Sequence, residues 1–301
     1  MNRVRRHTSE SAAQRVDAVT RANVRKHGAE RAQIGRRIAE LEREWDIERT
    51  LESNAGTIAL SGALLGTLHD RRWFGLTGFV MGFLFQHATS GWCPPIPVLR
   101  RLGVRTGNEI DQERFALKAV RGDFRSASNG EASVEQALEA VTPSESVAVE
   151  HRREPDRIRR YTTNAQQRRL DAAMAQRVRL YAGQIPEMIS ARIAELEREW
   201  SIERYLQVNV ALVGLTTTAL AVGKNRKWGY ATCAGLAFFL FHAVEGFDPP
   251  LPALRRMGIR SRDEINREVY ALKILRGDFD SVLETSDDSA RVEAALTAVG
   301  L

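Results

Sequence analysis

WFGLTGFVMGFLFQHATSGW, residues 73–92, is the stretch on which the fold turns. It carries no Lys, Arg, Asp or Glu across 20 residues and has a tryptophan at each end. At 1.5 Å per residue a helix over it is about 29 Å long, the thickness of a bilayer hydrocarbon core, whose interfaces Trp and Tyr prefer. Just upstream, residues 55–68 are also uncharged. With the semi-polar residues 50–53 included, that segment reaches about 20 residues, with Glu52 near the headgroups. His69, Asp70, Arg71 and Arg72 form a tight polar turn between the two. The stretch therefore predicts a transmembrane helical hairpin with spans about 50–69 and 73–92.

The hairpin occurs twice. RIAELEREW stands at 37–45 and again at 192–200, and the spacing of 155 residues holds without a gap to RGDF at 121–124 and 276–279. RVRRHT at 3–8 matches RIRRYT at 157–162 once one residue is inserted near Ile185 and Pro186, and SVEQALEAV at 133–141 resembles ARVEAALTAV at 290–299. Repeats at this scale mark duplicated structural units. The expected organisation is a first hairpin unit at 3–141, a linker at 142–156 containing Pro143 and Pro155, and a second unit at 157–299 with spans about 205–223 and 228–247. The second unit keeps Trp228, Tyr230 and Phe247, although Glu245 interrupts its far end.

Ahead of each hairpin, Ile34, Ile38, Leu41 and Trp45, repeated as Ile189, Ile193, Leu196 and Trp200, recur at helical spacing. They predict an amphipathic helix that packs on a partner or lies along a bilayer and runs on into the apolar segment. Glu40, Arg43, Asp46 and Arg49, three apart, predict ion pairs along that helix. Within the spans, Gly62 with Gly66 and Gly78 with Gly82 form two GxxxG pairs, replaced in the second unit by Thr217, Ala221, Cys233 and Ala237. Smallness is kept while glycine is not, as on a helix-packing face in lipid. His87 with Asn54, and His242 with Asn209, fall at the same depth on the two arms of each hairpin. They are candidates for a polar pair across it, as structural glue or as a functional group.

The chain has a net charge of +6, and only five of its 44 cationic residues are lysine. An arginine excess suits anionic partners, with a solvated ion-paired face as the plainer alternative. Cys93 and Cys233 occupy non-equivalent places, so neither a disulfide framework nor a zinc site is indicated. The first thirty residues contain no apolar run of signal-peptide type. Cations near the span ends favour Arg36, Arg37, Arg43, Arg49, Arg100, Arg101 and Arg105 on the flanks over Arg71 and Arg72 in the turn. This bias places both termini in the cytoplasm.

After the second span comes GWCPPIPVLRRLGV at 91–104, matched by GFDPPLPALRRMGI at 246–259. Following an apolar hairpin, this order resembles the bacterial inner-membrane YgaP-like transmembrane domain family, over about 50 residues per unit. The resemblance implies a two-span hairpin that associates through small-residue faces, and it makes Cys93 a candidate thiol, although the second unit has Asp248 there. The prolines predict an extended exit at the interface, with Leu99 and Leu102 sinking and Arg100, Arg101 and Arg105, repeated as Arg255, Arg256 and Arg260, facing lipid phosphates. Thr106 with Glu109, and Ser261 with Glu264, predict capping boxes opening a cytoplasmic helix that Gly122 and Gly277 stop.

The sequence thus predicts an all-α protein of two tandem repeats, each an amphipathic helix, a transmembrane helical hairpin and short cytoplasmic helices, in a bacterial inner membrane. The expected role is non-enzymatic: a scaffold or interaction module at anionic lipid, self-associating, with no cofactor, metal, nucleic acid or small-molecule substrate. Two alternatives stand beside it, a thiol or sulfane-sulfur handling protein using Cys93 and a soluble helical bundle.

Overall fold

The computed structural model describes residues 3–124, 132–142 and 156–301, so the expected linker lies outside the described residues except for its ends. Among the described residues every regular element is a helix, with sixteen α-helices, two short 3-10 turns and no strand. In the first repeat these are α1 (Glu10–Ala29), α2 (Arg31–Leu41), α3 (Ile47–Leu68), α4 (Phe74–Ser90), α5 (Ile96–Arg101), α6 (Gly107–Arg121) and α7 (Ala132–Val141). The second contributes α8 (Arg157–Arg160), α9 (Asn164–Tyr181), α10 (Pro186–Leu196), α11 (Ile202–Gly223), α12 (Trp228–Glu245), α13 (Leu251–Arg256), α14 (Arg262–Leu275), α15 (Asp280–Glu284) and α16 (Asp288–Val299).

Local chemistry sets the boundaries. The amphipathic helix does not run on into the apolar segment: α2 stops at Leu41, and α3 starts afresh at Asp46, whose side chain accepts from Arg49 N at 2.8 Å. A capped N-terminus satisfies a donor that a continuing helix would bond internally. The expected ladder of Glu40, Arg43, Asp46 and Arg49 is therefore split between two helices. The prolines after α4 also act differently from the expectation of an extended exit. Gly91 ends α4 at φ +84°, and Pro95 and Pro97 then open α5, where a missing N–H costs nothing. Both capping boxes form, at Thr106 with Glu109 on α6 and Ser261 with Glu264 on α14.

The four apolar helices α3, α4, α11 and α12 pack together around Ala59, Ala63, Met81, Leu84, Val210, Ala211, Leu236 and Phe239. Contact between repeats, α3 on α12 and α4 on α11, is more extensive than contact within either hairpin. Gly62 lies where an added Cβ would be 2.8 Å from Thr77 Oγ1, and Gly66 where it would be 2.8 Å from the Phe74 ring. Thr217 and Ala221, their counterparts, are buried. Gly78 and Gly82 do not belong to this face, because nothing lies within 4 Å of an added Cβ at either. Their counterparts Cys233 and Ala237 are half-buried and exposed. On α4 the inward stripe is Thr77, Met81, Leu84 and Ala88, and Gly78 and Gly82 sit about 100° round the helix from it. Of the described helices, α11 alone is long and apolar enough to cross a membrane.

Below the bundle lies a helical base built on α6 and α14. Ile34, Ile38 and Leu41 of α2 are buried in its core with Phe115, Leu117 and Val120, so these members of the stripe pack on protein, whereas Trp45 lies past the end of α2 and is 43% exposed. The expected units do not close on themselves. α7 packs on α14 and α9 of the second repeat, and α16 packs on α6 and α1 of the first. Arg179 donates to Glu135 of α7, while Arg25 pairs with Glu293 of α16 at 2.7 Å. Each repeat thus receives the final helix of the other, and one buried cluster contains residues of both.

Positions 155 apart meet across the middle of the molecule. Phe115 stacks on Tyr270 with ring centroids 3.7 Å apart, Phe124 meets Phe279 at 4.8 Å, Gln207 donates to Glu52 at 3.1 Å, and Asn266 donates to Asp111. These self-facing pairs run from the bundle into the base and mark a pseudo-twofold axis.

Candidate functional site

Where bundle meets base lies a half-open vestibule of about 480 Å³, lined mostly by charged side chains from both repeats. The first turns of α3, α6, α11 and α14 reach it through Asp46, Glu48, Gly107, Ser201, Glu203 and Arg262, and the arms before α1 and α9 reach it through Arg3 and Arg157. Four arginines tie its roof. Arg3 donates to His87 O and Ala88 O at 3.1 and 2.6 Å, and Arg204 to Ala88 O and Thr89 O at 2.7 and 2.9 Å. Arg157 donates to His242 O and Ala243 O at 2.9 and 2.6 Å, and Arg49 to Ala243 O and Val244 O at 2.9 and 2.7 Å. The last carbonyls of a helix lack intrahelical donors and carry partial negative charge, so each C-terminus here holds one guanidinium from its own repeat and one from the other. Close approach is possible because Gly91 and Gly246 lie under the arms, and an added Cβ would come 2.8 Å from Arg3 Cβ and 2.5 Å from Arg157 O.

Inside, the two repeats differ. Glu48 takes His87 Nε2 at 2.6 Å, Arg3 at 3.0 Å and Gln207 Nε2 at 3.2 Å. Its counterpart Glu203 instead accepts from Arg262 N at 3.2 Å, leaving both ring nitrogens of the buried His242 without hydrogen bonds. Glu52 accepts from Arg157 at 3.1 Å. Gln207, with its Nε2 held between two carboxylates, has its Oε1 buried and without a donor.

The charges are finely balanced. Burial pushes the Asp46 carboxyl up to about 6, and burial followed by the charges of Asp263 and Glu264 pushes Asp156 up to about 7. Burial works against the Glu48 carboxylate too, but the Arg3 and His87 charges, with hydrogen bonds from His87 and Gln207, hold it well below its usual range. Burial, then the neighbouring Arg157 and Arg3 charges, brings Arg49 and Arg204 each down to about 10. Among the described residues no group of three or more His, Cys, Asp or Glu is placed to hold a metal ion. The vestibule lining includes Ser201 but, among the described residues, no cysteine or histidine.

The predicted polar pair does not form. Asn54 is exposed and donates to Thr50 O at 3.0 Å, Asn209 is exposed, and His87 turns to Glu48. Equal depth was the basis for pairing them, but Asn54 lies about 200° round α3 from Glu52 and so faces away. The headgroup arginines also divide. Arg100 is buried, donating to both oxygens of Glu109 at 2.7 Å, and Arg255 does the same with Glu264 at 2.7 Å. Arg105 pairs with Glu44 and Glu113, and Arg260 with Glu199 and Glu268. Buried guanidiniums need such partners, so of the predicted set Arg101 and Arg256 alone are exposed. Leu102, expected to sink, is 75% exposed. Cys93 is buried away from the vestibule beside Ile96, Ile47 and Leu51.

The vestibule residues that sequence reasoning passed over had a signal. Glu48 and Glu52, and Glu203 and Gln207, are spaced i,i+4 at the start of an apolar helix, where polar residues share one face. A scan against protein-family models finds no match, and searches of curated proteins and of solved structures find no similar chain.

Proposed function

We propose that this chain is a non-catalytic membrane protein whose four apolar helices cross a bilayer as one bundle, with the arginine-rich base on the cytoplasmic side as an interaction platform at anionic lipid. The carrying observation is the outer surface of the bundle. Ile58, Leu64, Leu68, Trp73 and Phe79 of the first repeat, and Leu212, Val213, Val222, Trp228, Tyr230 and Phe238 of the second, are exposed along lengths that carry no charge. An exposed apolar belt rimmed by charge is the kind of surface that marks a membrane or protein interaction site. The tryptophans at the turn end fit an interfacial girdle, and Arg71, Arg72, Lys224 and Lys227 follow them in the turns. The resemblance to the YgaP-like hairpin family agrees with this, with Gly62 and Gly66 serving packing inside the chain. Bacterial inner membrane, cytoplasmic termini and self-association remain part of the proposal.

The second reading, a soluble helical bundle, is favoured by the polar starts and short lengths of the other helices. α3 opens with Glu48, Arg49 and Glu52, α4 has 17 residues, and α12 ends on His242 and Glu245. Sulfur chemistry draws no support from Cys93, whose thiol is pushed up to about 11 by burial and then by the Glu48 charge, away from the reactive thiolate. Fractionation decides between the two readings. The membrane protein stays in the pellet through carbonate and high-salt washes and needs detergent for release, whereas recovery in the soluble fraction overturns the proposal and selects the soluble bundle.

A further inference from the structure

Between α11 and α12 runs a groove of about 110 Å³, walled by Val213, Gly214, Gly235 and Phe238 and closed at its base end by Asp248. Asp248 is only 3% exposed, its Oδ2 has no hydrogen-bond partner, and among the described residues it forms no ion pair. An uncompensated buried carboxylate is costly, so evolved sites pair it with a cation or a donor. The charge nearest in effect is another acid, Glu52, which together with burial raises the Asp248 carboxyl to about 6. Among the described residues nothing completes this group.

The first repeat carries bulkier residues at the matching place. Leu76 and Val80 stand where the second repeat has Ala231 and Gly235, and Cys93, in an apolar cluster with Phe83 packed against it, stands in place of Asp248. The small wall residues and the unpartnered acid therefore occur together in one repeat, and the other keeps neither. At roughly 30 Å³ per small group, the groove takes about four methylene-sized units.

We propose that this groove is a binding site for a lipid bearing a primary ammonium headgroup, as in ethanolamine phospholipids, with the ammonium donating to Asp248 and the start of an acyl chain lying against Gly214, Gly235 and Phe238. This rests on the membrane reading, which turns the outer face of the groove to the acyl chains and sets Asp248 at headgroup depth. A primary ammonium supplies both the charge and the N–H that Oδ2 lacks. A choline headgroup supplies the charge without a donor, which is the source of the selectivity.

The test uses the full chain, purified in mild detergent and placed in nanodiscs of choline lipid with and without ethanolamine lipid, with native mass spectrometry of the retained lipid. The parent retains ethanolamine lipid on the order of tenfold over its bulk fraction, the discrimination of one charge-assisted hydrogen bond. Asp248→Cys and the double change Ala231→Leu with Gly235→Val, each installing residues of the first repeat, abolish the enrichment while thermal unfolding confirms a folded chain. Equal retention of both lipids by the parent overturns the proposal, as does enrichment that survives in both variants. Failure of the parent to enter nanodiscs refutes the membrane reading itself, and the site with it.

Discussion

Replacing Arg100 by Met removes the cation from a pair in which both side chains are nearly fully buried, at 1% and 3% exposure. Three hydrogen bonds go with it, two to Glu109 at 2.7 Å and one to Val104 O at 2.9 Å. Glu109 then retains Thr106 N at 2.8 Å and the partly exposed Arg5 at 3.2 Å. Breaking a buried pair on one side costs about 3–5 kcal/mol, because the remaining charge stays desolvated. Methionine occupies similar length, so little of the loss comes from a void. At roughly 2 °C per kcal/mol for a chain this long, the unfolding midpoint falls by about 6–10 °C. The second repeat supplies its own control. Arg255 makes the same two bonds to Glu264 at 2.7 Å, and those bonds, against burial, hold the Glu264 carboxyl below its usual range. Arg255→Met should therefore lower the midpoint comparably, read by circular dichroism in detergent. A loss below about 1 kcal/mol in either variant refutes the view that these arginines serve the interior.

The other expectations concern titration, packing and connectivity. Asp156→Asn keeps the contacts to Ile158 N and Ser261 Oγ while removing a carboxylate whose folded pKa of about 7 lies above its unfolded value. In the parent, the stability this carboxyl lends in its protonated form is complete below about pH 4 and lost as pH rises to about 7, so the variant gains about 1–3 kcal/mol at pH 8 and nothing at pH 4. A pH-independent difference between the two unfolding curves contradicts this, and the first repeat already carries Asn2 at the matching position. Gly66→Leu drives bulk into Phe74 and costs about 1–3 kcal/mol, whereas Gly78→Leu meets open space and leaves the unfolding midpoint unchanged. Equal effects would remove the distinction drawn between the two glycine pairs. A protease site placed within 143–155 and cut should leave the halves co-eluting on size exclusion, because α7 and α16 are exchanged between repeats. Separation into two folded halves would refute the exchange.

Features set by adjacent residues were legible from sequence. The capping boxes at Thr106 and Ser261 and the stop at Gly122 follow from side chains bonding backbone a few residues away, so the amino-acid order contains their geometry. The stripe of Ile34, Ile38 and Leu41 was legible as an apolar face, but the identity of its cover was not, since periodicity states which side is dry and never what lies on it. Arg100 and Arg105 read as surface cations for the same reason: Glu109 comes into register with Arg100 only after a reversal of the chain through Gly103 at φ +84°, and Glu44, one partner of Arg105, lies 61 residues away in sequence. Asn54 and His87 failed through azimuth, which a count of residues from the turn omits. Exchange of the final helices was invisible because similar repeats offer similar docking faces, and the order of residues does not say which copy each tail takes.

Consider the self-facing pairs once more as a matter of symmetry. In a dimer of identical subunits, a residue on the twofold axis faces its own kind, so a carboxylate there meets a carboxylate and the two must share a proton or recruit a cation. Along this axis both polar encounters are mixed, Glu52 with Gln207 and Asp111 with Asn266, each a carboxylate facing a carboxamide that donates to it. Two identical subunits could not divide donor and acceptor in this way. The molecule is consequently handed about its own axis: any partner approaching along it meets two unlike flanks, and seats that correspond by sequence cannot be filled alike.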